Sequence, residues 1–230
     1  RGVGSGLLDQ VESGKIVLNA GSLYADKTIT IGNAKWQAVQ GPVTKSTTWN
    51  EGSRIHVTSN LTVAKSATLI IKQGCVIKLA PKTEVTVLGK LIVEGTKKTP
   101  VVFCPETPDA PWGGITLKGS AASAEASWAF VTGSGGNSWW FVANNVPGTH
   151  RNEQAAFFLG EGAKGAFADC FFIDNAGQAF HGESAQLTLD RCVVQRCQTV
   201  GQFNGGSVKI RDSALLDFPS DSDTYEDGDN

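Results

Sequence analysis

From Ile55 onward, apolar and polar residues alternate in short runs that Gly, Asn, Asp or Lys repeatedly interrupt. Examples are Ile55-His56-Val57, Leu61-Thr62-Val63, Leu69-Ile70-Ile71, Val85-Thr86-Val87 and Leu91-Ile92-Val93. Later come Ile115-Thr116-Leu117, Leu187-Thr188-Leu189 and Val208-Lys209-Ile210. A period of two is the signature of a strand with one buried face. Helical periodicity is nearly absent: only Leu7-Leu8-Asp9-Gln10-Val11-Glu12 has a helical start, and Gly flanks it on both sides. Short strands at even spacing leave two architectures, a barrel or a solenoid.

A repeat in the C-terminal third decides for the solenoid. Ala168-Asp169-Cys170-Phe171-Phe172-Ile173-Asp174 aligns with Asp190-Arg191-Cys192-Val193-Val194-Gln195-Arg196, and both align with Arg211-Asp212-Ser213-Ala214-Leu215-Leu216-Asp217. The apolar columns Phe167/Leu189/Ile210 and Phe172/Val194/Leu215 then stack like on like, which is how a β-solenoid buries a continuous core. The expected fold is all-β: a right-handed parallel β-helix, a single-stranded β-solenoid of about eight coils of about 21–22 residues.

The same alignment stacks charges. Asp169, Arg191 and Asp212 share one column, and Asp174, Arg196 and Asp217 another. Alternating signs avoid repulsion between neighbouring strands, so a structural surface ladder is one reading. An acid/base or cation-binding groove on that face is the other.

Several motifs resemble a known family. Thr48-Trp49 leads through the early alternating runs to Gln73-Gly74-Cys75-Val76-Ile77-Lys78. Then come Leu91-Ile92-Val93-Glu94-Gly95-Thr96, Pro100-Val101-Val102-Phe103 and Trp112-Gly113-Gly114-Ile115. This order resembles the opening coils of secreted bacterial right-handed parallel β-helix proteins with the pectin-lyase-like fold, over roughly residues 48–218. The resemblance implies an extracellular or cell-surface location. It implies little about activity, because one fold hosts lyases, hydrolases, adhesins and inert stalks.

The expected organisation follows. Residues 1–46 depart from the coil pattern and read as an N-terminal cap or the remnant of a preceding segment, with Lys15-Ile16-Val17-Leu18 and Thr28-Ile29-Thr30-Ile31 as candidate strands. Residues 47–218 form the β-helix, with an inserted loop near 133–154. Residues 219–230 form an acidic loop or a truncated continuation. The insertion carries Trp139, Trp140 and Phe141 among Gly, Asn and Pro, with Asn144 and His150 close by. Exposed, these rings would offer flat faces for stacking sugar rings; folded back, they would cover the solenoid flank.

The net charge of −2 gives no electrostatic footprint for nucleic acid, and no apolar run is long enough to span a bilayer. The absence of Met and the start at Arg1 suggest a piece of a longer protein. The five Cys residues are odd in number and lack metal spacing, so buried thiols are expected and no cofactor is required. The tail acids Asp221, Asp223, Asp227 and Asp229 are candidate Ca²⁺ ligands, although their spacing matches neither the EF-hand nor the Gly-rich nonapeptide repeat and a solvated acidic loop competes.

Three functions compete. The first is a non-catalytic extracellular module, structural or adhesive, which binds a glycan through Trp139, Trp140, Phe141, Asn144 and His150. The second is a uronate lyase or glycosidase drawing on Asp169, Arg191, Asp212 and Lys209, with Asp190, Arg196 and Arg211 nearby. Asp169 and Asp212 lie two coils apart, about 10 Å, just outside the separation of an inverting carboxylate pair. No block matches the Asn-x-Asp, Asp-Asp and Arg-x-Lys set of the polygalacturonase-like hydrolases. The third is a component that self-associates or packs on other domains of a longer surface protein.

Overall fold

Each alternating run becomes one rung of a ladder, because a strand with one apolar face can bury it only against the interior of a stack. The computed structural model describes residues 15–18, 27–30, 35–138, 140–144 and 153–218. Three parallel sheets wind around one core. The first sheet stacks 36–39, 54–57, Val76–Leu79, Val101–Pro105, Ala129–Val131, Phe171–Ile173, Val193–Gln195 and Ala214–Leu216. The second stacks 41–43, 61–63, Val85–Val87, Ile115–Leu117, Phe157–Leu159, 180–182 and 201–203. The third stacks Thr47–Trp49, Thr68–Lys72, Lys90–Glu94, Ser123–Ser127, Lys164–Ala168, 186–190 and 207–211. This is the all-β solenoid of about eight coils that the repeat predicts.

The coil length is less uniform than the repeat implies. Leu187 pairs with Val208, 21 positions on, and Phe171 with Val193, 22 positions on. Val76 reaches Val102 only after 26, and Ile115 reaches Phe157 after 42. The longest coil contains the insertion, which leaves the ladder between the first and second sheets. The ladder also starts earlier than residue 47. Trp36–Val43 pairs in parallel with Arg54–Val63, so the stretch expected to be a cap already supplies a rung.

Interior columns carry the stability. Leu61, Val85, Ile115, Phe157 and Phe180 line up in register on the second sheet and are all buried. Phe180 lies with its ring centroid 4.6 Å from that of Phe172 and 5.4 Å from that of Phe167. Burying each such side chain contributes about 1.5–3 kcal/mol, against about 1 kcal/mol at most for an exposed ion pair. The apolar columns therefore dominate.

The Trp112-Gly113-Gly114-Ile115 run has a local cause. Trp112 is fully buried and donates its Nε1–H to the Thr132 carbonyl at 2.8 Å. A Cβ on Gly114 would lie 2.3 Å from the Ala155 carbonyl oxygen, so the next coil can pass over it only if no side chain is present.

Candidate functional site

Turning a chain from one flat sheet to the next in few residues requires left-handed backbone. Asp169, Arg191 and Asp212 sit at the bend from the third sheet to the first, with φ of 54°, 53° and 48°. Asp174, Arg196 and Asp217 sit at the bend that leaves the first sheet, with φ of 56°, 50° and 51°. Non-glycine residues pay on the order of 1 kcal/mol for this conformation, Asp less than most. Both charge columns are thus columns of bend residues.

At the first bend, Arg191 donates Nε–H and Nη2–H to the two carboxylate oxygens of Asp169, at 2.9 and 2.8 Å, and also bonds Asp190. These carboxylates hold the guanidinium even more firmly protonated than usual, so Arg191 is a fixed cation. Asp212 stacks one coil beyond Arg191. Lys209 lies on the third sheet in register with Thr188, outside the bend column. The structure thus brings Asp169 and Arg191 together as an ion pair and does not converge Asp212 and Lys209 on them.

Among the described residues of the insertion, the Trp140–Ala143 turn folds back on the solenoid flank. Trp140–Ala143 is a single helical turn, and Trp140 is only 2% exposed. Its ring packs edge-on against Phe158 and His181, with centroids 5.4 and 5.2 Å away. Phe141 is half-buried against the same cluster, and Asn144 donates Nδ2–H to the Trp140 carbonyl at 2.8 Å. The exposed-platform expectation therefore fails for Trp140: a large ring gains more by covering Phe158 than by facing water. Trp139, His150 and the tail acids Asp221, Asp223, Asp227 and Asp229 lie outside the described residues.

Beneath that turn is a polar cluster not foreseen from the sequence. His181 is fully buried; its Nε2 lies 2.8 Å from Glu183 Oε1 and its Nδ1 lies 3.3 Å from Gln178 Oε1. Burial pushes the imidazole pKa below its ordinary value, while Glu183 pulls it up. Asn204 donates Nδ2–H to the same Glu183 oxygen at 2.7 Å. Nearby, Gln154 donates Nε2–H to Glu84 at 2.7 Å and accepts from Asn137 at 2.6 Å. The one available signal was His181-Gly182-Glu183, whose spacing of two puts both side chains on one face of a strand.

The outer face of the third sheet carries an open groove of about 440 Å³. Lys90, Ser123, Lys164 and Gln186 form one column along it, and Glu125, Ala166 and Thr188 the next. The methyl of Ala166 between two longer neighbours leaves the dip, and Ser120 and Ala121 of the preceding turn flank it. Rungs about 4.8 Å apart thus present hydrogen-bonding side chains at a regular pitch.

The five thiols are all reduced and buried. Burial pushes Cys197 up to about 11 and raises Cys75 and Cys170, so these three are poor nucleophiles.

Residues 41–137 match the family model described as a pectate-lyase like beta helix domain. Neither the curated proteins nor the solved structures contain a match to this chain.

Proposed function

We propose, taking a pectate-lyase-like β-helix as the premise, that this chain is a non-catalytic module of an extracellular or cell-surface protein that binds a polysaccharide along the third sheet. One observation carries the reading: the groove lined by Lys90, Ser123, Glu125, Lys164, Gln186 and Thr188. Its donors and acceptors recur with the rungs of a rigid ladder, and a linear polymer offers hydroxyls in the same repeating fashion. The ion pair of Asp169 with Arg191 supports the non-catalytic half, since each group is held as the other's partner. This moves the binding surface away from the aromatic insertion, where Trp140 is buried.

The test is affinity electrophoresis through gels of neutral and uronate polysaccharides. Retardation is expected in at least one gel. It should fall severalfold in Lys164→Ala/Gln186→Ala with an unchanged melting temperature. Retention that is indifferent to these substitutions would reject the groove. Release of unsaturated uronate, read by absorbance, would reject the non-catalytic role.

A second reading, self-association or coil-on-coil assembly, draws on the last described rung. Val208, Ile210 and Leu215 are about 40% exposed, whereas their partners one coil earlier, Leu187, Leu189 and Val194, are buried. Both charge ladders reach this rung on an acid, Asp212 and Asp217. A further coil with basic bend residues would continue both the core and the ladders. A molar mass by light scattering that rises with concentration, and falls again in Ile210→Asp, supports this reading; a constant monomer mass rejects self-association.

A further inference from the structure

The residues that open successive rungs of the first sheet stand in one interior column: Cys75, Val101, Ala129, Cys170, Cys192 and Ser213. Among the five cysteines, only Cys170 and Cys192 occupy adjacent rungs of one column. Val101 and Ala129 separate Cys75 from them. Cys104 belongs to the outer cluster of the first sheet, and Cys197 sits at the following bend, where Asn175 donates Nδ2–H to its sulfur at 3.5 Å.

Cys170 and Cys192 are both fully buried, and their sulfurs sit alike. Cys170 Sγ donates to the Ala168 and Ala126 carbonyls at 3.2 and 3.6 Å. Cys192 Sγ donates to the Asp190 and Phe167 carbonyls at 3.5 and 3.4 Å. Ala126 and Phe167 are themselves in register, so one thiol stands directly above the other, one rung or about 4.8 Å along the stack. A disulfide accepts Cα separations of about 4.4–6.8 Å, and one rung falls inside that window. Thiols are weak donors, so little is lost when the Cys170 side chain rotates its sulfur up the stack toward Cys192. The two groups already sense each other. Burial raises the Cys170 thiol, whereas hydrogen bonding from Cys170 lowers that of Cys192.

We propose that Cys170 and Cys192 form a disulfide across one rung, tying together the two coils that precede the exposed last rung. The oxidant is a small-molecule disulfide. One cysteine thiolate attacks it, forming a mixed disulfide and expelling one small thiolate. The other cysteine loses its proton and attacks the protein sulfur of that mixed disulfide, expelling the second small thiolate. Two protein thiols are thereby oxidised by two electrons, the small disulfide is reduced to two thiols, and the two protons pass to them. Both sulfurs are buried once the coil closes, so the exchange runs during folding, and the folded register selects the pair.

The test is refolding of the full chain in reduced and oxidised glutathione, which makes the result independent of where the protein resides. The folded fraction is then quenched in acid, alkylated while denatured, digested with trypsin and read by mass spectrometry. A reducible species joining peptides 165–191 and 192–196 is expected, with Cys75, Cys104 and Cys197 alkylated. Five alkylated cysteines overturn the proposal, and so does a link between any other pair. Cys192→Ser, which repeats the hydroxyl that Ser213 supplies one coil later, should show no link and four alkylated cysteines. Transfer of the link from Cys170 to Cys75 or Cys197 in that variant overturns the selection by register. If Cys192→Ser fails to fold, the peptide map of the unsubstituted chain decides alone.

Discussion

Arg196 reaches back one coil and grips Asp174 with two parallel hydrogen bonds, Nε to Oδ1 at 2.6 Å and Nη2 to Oδ2 at 2.9 Å. The pair joins two left-handed bends that would otherwise contribute only strain. Gln195 continues the contact to the next coil by donating Nε2–H to Asp217 at 2.6 Å.

This ladder predicts a specific pattern of rescue. Asp174→Asn should cost about 0.5 kcal/mol in urea denaturation, the scale of a partly exposed pair. Exchanging the charges as Asp174→Arg/Arg196→Asp should recover little, because the new acid would stack on Asp217. Adding Asp217→Arg should restore the loss. Full recovery in the double exchange would show that the column does not act as a ladder.

Phe180 is the aromatic hub of the interior, packed on Phe172, Phe167 and Phe157. Phe180→Ala should destabilise the chain by about 3–5 kcal/mol, the range for truncating a buried aromatic ring. Phe180→Leu should cost markedly less. Equal losses for the two substitutions in chemical denaturation would contradict the cavity argument.

Gly114 tests close passage between coils. An added methyl at 2.3 Å from the Ala155 oxygen meets backbone, which cannot swing aside as a side chain can. Gly114→Ala is expected to cost about 1–3 kcal/mol or more by overpacking. Gly119, whose Cβ position is open, would suffer from its φ of 86° alone. A Gly114→Ala chain with unaltered melting would refute the tight crossing.

His181 predicts a pH dependence. Its folded pKa lies below the ordinary value of about 6.5, so the unfolded chain binds a proton more readily. Stability therefore falls as pH drops below about 7 toward the folded pKa, and no further contribution is lost below it. Glu183 lies against the ring and softens the effect. The melting temperature should decline more steeply between pH 7 and 5 in the intact chain than in His181→Gln. Parallel declines would remove His181 as the cause.

The sites differed in how readable they were. The Asp169/Arg191/Asp212 column was visible because repeats of 21 and 22 residues put equivalent positions in one register. Its backbone role was not visible, since left-handed φ at an Arg leaves no mark in composition. The Gln154–Glu84 contact joins residues 70 apart through a coil of irregular length, and no period announces it. Trp140 was ambiguous because an aromatic loop has the same composition whether it faces water or a flank.

The sequence by itself determined the kind of object: alternation with period two makes strands, and like-on-like columns make a stack with an interior. Both are local or strictly periodic properties, so they survive without coordinates. Which outer faces are open, and which are covered, was decided only by tertiary structure. The outward column Val76 to Val193 and the groove beside Ala166 are both faces of sheets built from alternating strands. What separates them is which side chains their columns carry: Trp36, Trp128, Phe130 and Phe171 pack over the first sheet, whereas the short Ala166 leaves a dip on the third.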